Sequence, residues 1–207
     1  MASPPLIAER LDEFKHLDWV QSTYAGINKL TQPNLRQDYT LTNVKGIFGP
    51  AIAEYVLGYT ISHFRHFTHY HQQQQQRSWQ PQLYTSLTDK TMVILGTGSI
   101  GSHLAKAASA FGIHTIGVNR TGIPSKQETF KDTFKDTFHI NELEAALKQA
   151  DIVVNTLPST DETYQLLNQT TLSYCSNVLL FNVGRGESVD NKACLLYTSD
   201  AADDLVG

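Results

Sequence analysis

Residues 92–101 read MVILGTGSIG, and this stretch decides the fold of the larger part of the chain. Met92 to Leu95 is a continuous apolar run that is too short for a helix, so it predicts a strand buried on both faces. The glycines that follow have the spacing G-x-G-x-x-G, and a helical periodicity comes after them. A strand, a glycine turn and a helix in this order predict a dinucleotide-binding site. A tight turn with only a structural role remains the alternative.

Each glycine of the motif has its own physical task. Gly96 permits the tight turn, Gly98 lets the main chain approach a pyrophosphate, and Gly101 lets the helix pack closely on the strand. The N–H groups at the start of the helix, together with the positive end of its dipole, then face the anion. We therefore predict that Gly96, Gly98, Ser99, Ile100 and Gly101 bind a cofactor.

Outward from this turn, the chain alternates between short apolar runs and helical periodicities. The alternation predicts parallel strands with right-handed helical crossovers, which is a doubly wound α/β sheet of the Rossmann type. Residues 122–138 contain a duplicated Thr-Phe-Lys-Asp and are interpreted as a surface loop. Asn141 is the predicted N-cap of the helix that follows it. The predicted helices cover 6–17, 51–76, 100–111, 142–149 and 161–168, and the predicted strands cover 19–21, 42–48, 92–95, 115–118, 152–155 and 178–183.

Composition restricts the classes of function. The chain has 207 residues, a formal net charge of −4 at pH 7 and no basic stripe, which disfavours binding to nucleic acid or to an anionic membrane. No apolar run is long enough to span a bilayer. The two cysteines, Cys175 and Cys194, lack metal or redox spacing, so we expect a cytoplasmic protein. Four histidines within residues 63–71 are interpreted as a solvated helix face, and no metal site is predicted.

The residues after the second strand of the motif indicate which dinucleotide binds. An acidic residue there would accept hydrogen bonds from a ribose 2′-OH and repel a 2′-phosphate. This chain has Asn119, Arg120 and Thr121 instead. Asn119 removes the repulsion, and the Arg120 guanidinium can form charge-assisted bonds to a phosphate. We predict that these three residues bind NADP(H) in preference to NAD(H), which stays possible. Alternatively, Arg120 stacks on the adenine or faces solvent.

Five sequence blocks in order resemble the D-isomer-specific 2-hydroxyacid dehydrogenases, in particular the glyoxylate/hydroxypyruvate reductase branch. The blocks are WVQSTYAG at 19–26, GPAIAEYVLG at 49–58, LTDKTMVILGTGSIG at 87–101, ADIVVNTLPSTDETYQLLN at 150–168 and NVLLFNVGRGESVD at 177–190. The resemblance covers about residues 5 to 193. It implies part of a flavodoxin-like substrate domain in 1–48, a dinucleotide-binding domain in 49–193, and an active site in the cleft between them.

The resemblance also implies site residues and a reaction. Arg185 matches the catalytic arginine, and Ala25 and Gly26 match the turn whose main chain binds the substrate carboxylate. Leu157, Pro158, Thr163, Val183 and Gly184 match positions beside the cofactor. The implied reaction is hydride transfer between NAD(P)H and a small 2-keto or 2-hydroxy acid such as glyoxylate or hydroxypyruvate, in a homodimer.

The chain lacks part of the family's pattern. The family's proton-donating histidine and its carboxylate partner lie downstream of the Val183–Gly186 block, whereas all eight histidines of this chain lie upstream of it. Residues 194–207 resemble a translated sequencing adapter, although a divergent C-terminus is the alternative, and Met1 is interpreted as an internal methionine. We therefore expect an inactive fragment of an enzyme. A corepressor-like dinucleotide-sensing protein and an inert fragment are the competing hypotheses.

Overall fold

The computed structural model describes residues 4–124 and 133–195. The chain divides after Phe48 into two compact units. Within the described residues, no helix is both long enough and apolar enough to cross a membrane.

The first unit is built on a small parallel sheet. Strands β1 (Trp19–Gln21) and β2 (Thr40–Thr42) pair in parallel, and helix α1 (Pro4–Ala8) precedes them. The predicted strand 19–21 is confirmed, whereas the strand predicted over 42–48 is wrong because the pairing with β1 ends at Thr42. The helix predicted over 6–17 is also wrong. After α1 the chain forms a 3₁₀ turn at Leu11–Glu13, which buries Leu11 in this unit's own core.

The second unit contains a five-stranded, fully parallel sheet in the order β5-β4-β3-β6-β7. Helices cover both faces, so the prediction of a doubly wound α/β fold is confirmed. The strands are β3 (Thr91–Leu95), β4 (His114–Asn119), β5 (Asp136–His139), β6 (Ile152–Asn155) and β7 (Leu179–Asn182). The helices are α2 (Gly49–Phe64), α3 (Phe67–Gln75), α4 (Ser99–Ala110), α5 (Leu143–Leu147) and α6 (Gln169–Leu172).

The central strand β3 alternates its side chains between two apolar cores. Met92 and Ile94 pack in the cluster that contains α2 and α4, while Val93 and Leu95 pack in the cluster that contains α5. All four side chains are fully buried. Burial on both faces explains why the sequence shows a continuous apolar run here and not an alternating one.

The long helix predicted over 51–76 is interrupted. α2 ends at Phe64 and α3 starts at Phe67, because His66 adopts a left-handed conformation with φ 55°. A non-glycine residue rarely adopts this conformation, and the helical spacing of the apolar residues continues through the break. Periodicity alone could therefore not locate it.

Three further predictions are wrong in detail. Residues 136–139 form β5, whereas the sequence predicts a loop there. Residues 125–132 of that predicted loop lie outside the described residues. Asn141 does not cap α5, whose N-cap is Glu142; the 3₁₀ turn Ile140–Glu142 before it is capped by His139, whose Nδ1 accepts a hydrogen bond from the N–H of Asn141. Residues 161–168 are not helical, since Asn168 caps α6 and the helix therefore starts at Gln169.

Candidate functional site

The carboxyl ends of four strands meet at one edge of the sheet. The register pairs Leu95 of β3 with Val118 of β4 and with Asn155 of β6, and it pairs Asn155 with Asn182 of β7. After β3 the chain proceeds outward through β4 and β5 and then returns to add β6 on the other side. The gap between β3 and β6 is thus the topological switch point, where open α/β sheets bind their ligands.

The glycine turn has the close contacts that the motif requires. Gly96 has φ +99°, and a Cβ added at this residue would lie 2.6 Å from the Oγ1 of Thr156. A Cβ on Gly101 would lie 2.0 Å from the carbonyl oxygen of Gly96, which no rearrangement of side chains can relieve. Gly98 is different, because nothing lies within 4 Å of its added Cβ. Two of the glycines therefore allow the turn to pack, and the middle one faces open space.

The start of helix α4 is free to accept an anion. Gly98 is its N-cap and supplies no side chain, so the first N–H groups of the helix receive no capping hydrogen bond. The first intrahelical bond of the turn runs from the N–H of Ser102 to the carbonyl of Gly98, and the Oγ of Ser102 donates to the carbonyl of Thr97. The arrangement fits a diphosphate, since bare main-chain donors and open space occur together.

Asn119 organises the loop after β4. Its Nδ2 donates to the Oγ1 of Thr97 at 3.0 Å and to the carbonyl of Ile123, which links this loop to the glycine turn. Its Oδ1 accepts hydrogen bonds from the N–H and the hydroxyl of Thr121 and from the N–H of Gly122. The Asn119 side chain is thus engaged within the protein. Between Asn119 and Thr121, the Arg120 side chain is exposed.

The loop after β6 carries three of the predicted cofactor residues. Leu157 is partly buried and Pro158 is exposed. The hydroxyl of Thr163 donates to the carbonyl of Pro158 at 2.7 Å and accepts from the N–H of Thr160 at 2.9 Å. Thr163 therefore closes this loop on itself.

The loop after β7 packs directly against the loop after β6. A Cβ on Gly184 would lie 2.6 Å from the carbonyl oxygen of Leu157, so only glycine permits this approach. Val183 donates its N–H to the carbonyl of Asn155 as the last ladder bond of β7. The Arg185 side chain is exposed, and its Nη1 donates to the carbonyl of Gly184 at 3.2 Å.

In the first unit, the turn after β1 is held by polar side chains. The Oγ of Ser22 accepts the N–H of Tyr24, and the Nδ2 of Asn43 donates to the carbonyl of Ala25 at 2.7 Å. Ala25 is exposed and Gly26 is partly exposed, so both remain accessible within this unit.

Comparison with known proteins identifies the family. The family "D-isomer specific 2-hydroxyacid dehydrogenase, NAD binding domain" matches residues 57–200. The chain belongs to this family. Its second unit is accordingly a Rossmann-like NAD-binding domain, and the resemblance found in the sequence is confirmed.

Solved and curated members of the D-isomer specific 2-hydroxyacid dehydrogenase family resemble the chain along most of its length. A family protein from Aeromonas salmonicida is 40% identical with a TM-score of 0.89, over 96% of this chain and 63% of that protein. An NADPH-dependent glyoxylate/hydroxypyruvate reductase from Sinorhizobium meliloti is 25% identical with a TM-score of 0.78, over 97% of this chain and 62% of that protein. A glyoxylate reductase from Aeropyrum pernix is 32% identical over 74% of this chain and 47% of its own length. The chain covers 60% of a curated relative from Corynebacterium melassecola and 34% of a glyoxylate reductase from Thermococcus gammatolerans.

Sequence reasoning missed a polar cluster around a buried asparagine in this dehydrogenase domain. Asn155 is completely buried at the end of β6 and contacts Asn182 and Ser188, which lie on either side of Arg185. A signal was present, since β6 and β7 are apolar runs that both end in asparagine. Only the strand register shows that the two asparagines are neighbours.

Proposed function

We propose that the complete protein transfers a hydride between NAD(P)H and a small 2-keto or 2-hydroxy acid of the glyoxylate or hydroxypyruvate type. The observation that carries this proposal is the position of Arg185. This arginine follows β7 at the carboxyl edge of the sheet, one loop away from the glycine turn, and its side chain is exposed. Relatives that are named glyoxylate reductase and hydroxypyruvate reductase support the substrate class.

The cofactor would lie along the carboxyl edge of the sheet. Its role when bound is to supply or accept the hydride. The glycine turn and the first N–H groups of α4 would hold the diphosphate, and the loop after β4 would hold the adenosine end. We assign cofactor contacts to Gly96, Gly98, Ser99, Ile100, Gly101, Asn119, Arg120, Thr121, Leu157, Pro158, Thr163, Val183 and Gly184.

Arg185 is the residue of this chain to which we assign catalysis. Its planar guanidinium can hold the substrate carboxylate and carbonyl oxygen in a fixed orientation. It also stabilises the negative charge that develops on the carbonyl oxygen as the hydride arrives. The main chain of Ala25 and Gly26 is assigned to the substrate carboxylate. The proton for the resulting alkoxide is assigned to a histidine that the complete reading frame would encode, because no histidine of this chain occupies the family's position.

The activity is tested on the product of the complete reading frame. When this protein is mixed with NADPH and glyoxylate, the absorbance of the reduced nicotinamide is expected to fall. Hydroxypyruvate is the second substrate to assay. The 1–207 chain, assayed beside it, is expected to bind nucleotide without turnover, in keeping with the prediction that it is an inactive fragment. Nucleotide binding by the complete protein without turnover of any 2-keto acid would contradict the proposal and favour a dinucleotide sensor.

We propose that NADP(H) is preferred to NAD(H). Support comes from the exposed Arg120, from the absence of a carboxylate at position 119, and from the NADP that the Sinorhizobium meliloti reductase binds. Arg120→Ala is expected to weaken NADP affinity by about 10- to 100-fold, the equivalent of one charge-assisted contact of about 1.5–3 kcal/mol, while NAD affinity stays the same. Calorimetric titration of both nucleotides measures the ratio.

The matched control for this titration is Lys106→Ala. Lys106 is an exposed cation on α4, so its loss removes one positive charge from the same unit without touching the loop after β4. An NADP/NAD affinity ratio that is unchanged in Arg120→Ala, or that changes equally in Lys106→Ala, would contradict the assignment of Arg120.

We also propose a homodimeric, cytoplasmic protein with no nucleic-acid or membrane partner. The large apolar side chains Phe67 and Trp79, on α3 and just after it, are exposed, and they support contact with a second copy of the chain.

A further inference from the structure

The carbonyl group of Arg185 is held from within the protein, although its side chain faces solvent. Two donors reach this carbonyl oxygen: the Oγ of Ser188 at 2.5 Å and the Nδ2 of Asn182 at 3.1 Å. Asn182 also accepts, through its Oδ1, the N–H of Gly184 at 3.2 Å. The main chain of residues 184 and 185 is therefore held by two side chains.

Both of these side chains are in turn held by Asn155. The Nδ2 of Asn155 donates to the Oδ1 of Asn182 at 2.9 Å and to the Oγ of Ser188 at 2.5 Å. Its Oδ1 accepts the N–H of Leu157 at 3.2 Å, at the start of the loop after β6. Asn155 is 0% exposed and Ser188 is 1% exposed, so the bond between them is shielded from water.

A carboxamide is well suited to this position. Its two N–H groups donate to Asn182 and Ser188, which flank Arg185, and its oxygen accepts the N–H of Leu157 in the loop after β6. One side chain thus joins both loops. A carboxylate of the same shape would lack both donors, and an apolar side chain would leave Asn182, Ser188 and the N–H of Leu157 without their buried partner.

We propose that Asn155 and Ser188 are positioning residues for Arg185, an inference that rests on the catalytic role proposed for that arginine. They do not touch the substrate. Ser188 holds the main chain of residue 185 directly, and Asn155 holds it through Ser188 and Asn182. Together they set the point from which the guanidinium extends. The Arg185 side chain cannot do this itself, since its only side-chain hydrogen bond within the described residues is to the neighbouring carbonyl of Gly184.

Ser188→Ala tests the proposal in the complete enzyme. The variant removes one donor to the Arg185 carbonyl and keeps the bond between Asn155 and Leu157. We expect kcat/KM for glyoxylate to fall by about tenfold or more, because small displacements of a positioning group are costly in catalysis. NADPH affinity is expected to stay within about twofold of the wild type. Ser188→Thr, which keeps a hydroxyl, is expected to recover most of the loss.

The decisive measurement is a double-mutant cycle with Arg185. In an Arg185→Lys background, Ser188→Ala is expected to lower kcat/KM by less than about twofold, because the group that the serine positions is already changed. The matched control is Ser173→Ala, which removes an exposed hydroxyl that also donates to a main-chain carbonyl, that of Thr170. This control should leave kcat/KM unchanged in both backgrounds.

The outcomes separate the two proposals. Equal losses from Ser188→Ala in the wild-type and the Arg185→Lys enzymes would indicate a general structural role and would overturn the positioning proposal alone. Unchanged kcat/KM in Ser188→Ala would also overturn the positioning proposal and leave the proposed function standing. A wild-type enzyme without turnover of any 2-keto acid would overturn the proposed function, and the positioning role with it. If Ser188→Ala unfolds at a lower denaturant concentration, Asn182→Ala provides the second test, because the exposed Asn182 is the other donor to the Arg185 carbonyl. Its effect on kcat/KM is likewise expected to be smaller in the Arg185→Lys enzyme than in the wild type.

Discussion

Gly101→Ala is expected to distort the glycine turn and to destabilise the dinucleotide domain strongly. The added methyl group would lie 2.0 Å from the carbonyl oxygen of Gly96, and the same Cβ would lie 3.1 Å from the Cγ2 of Ile94. The first of these atoms is main chain and cannot move aside without breaking the contact between α4 and β3. We expect the free energy of unfolding to fall by about 3 kcal/mol or more, as for severe overpacking. Urea denaturation of the chain, followed by circular dichroism, measures the loss.

The matched variant is Gly98→Ala, which makes the same chemical change three residues earlier. Gly98 has φ −76°, which any residue adopts, and nothing lies within 4 Å of its added Cβ. We therefore expect the unfolding free energy to be unchanged or slightly raised, because alanine restricts the unfolded chain by about 0.4–1 kcal/mol more than glycine. The methyl group would occupy the space assigned to the diphosphate, so nucleotide affinity should fall by at least about tenfold.

These two variants separate packing from binding. Wild-type stability in Gly101→Ala would contradict the close approach of helix and strand. Wild-type nucleotide affinity in Gly98→Ala would contradict the position that we assign to the diphosphate. The calorimetric titration is the same in both cases and uses NADP and NAD.

The strands that the sequence predicts well are those with a continuous apolar run. β3, β4, β6 and β7 are short apolar runs bounded by polar or glycine residues, and all four were located to within about one residue. β5 was missed because its residues, Asp-Thr-Phe-His, are of mixed polar and apolar character, and none of its side chains is fully buried. β7 also lies at an edge of the sheet, but it contains the continuous apolar run Leu-Leu-Phe, which the sequence shows.

The limits of prediction at the site have a different cause. The glycine turn is predictable because its three glycines, the strand before them and the helix after them are all close in sequence. The sequence does not show the polar contacts between loops, because the strand register brings Asn155 beside Asn182, and Ser188, 33 residues from Asn155, reaches it from the turn after β7. Asn119 illustrates the same limit. From the sequence, Asn119 is assigned only the lack of a charge that would repel a 2′-phosphate. In the structure its side chain also holds Thr97 and the loop that presents Arg120.

Arg185→Ala is expected to reduce kcat/KM for glyoxylate by about 10³-fold in the complete enzyme, which is the upper range for removal of one donor to a developing oxyanion. NADPH affinity should remain within about twofold, because the assigned cofactor contacts of this loop are Val183 and Gly184, which the substitution leaves in place. Arg185→Lys should recover only part of the activity, since an ammonium group carries the charge but lacks the planar fork that orients two oxygens.

The comparison of these variants tests what the guanidinium does. If its charge alone mattered, Arg185→Lys would act almost as well as the wild type. If its geometry matters as well, the lysine enzyme should show a raised KM for the keto acid together with a lowered kcat, because both binding and orientation of the carboxylate suffer. Steady-state kinetics over a range of glyoxylate concentrations distinguish these results, and Lys192→Ala, at an exposed cation beyond the same loop, is the control. An Arg185→Ala enzyme with more than about one tenth of the wild-type kcat/KM would show that the transition state is stabilised by another group, because loss of a single oxyanion donor costs about 10²-fold or more.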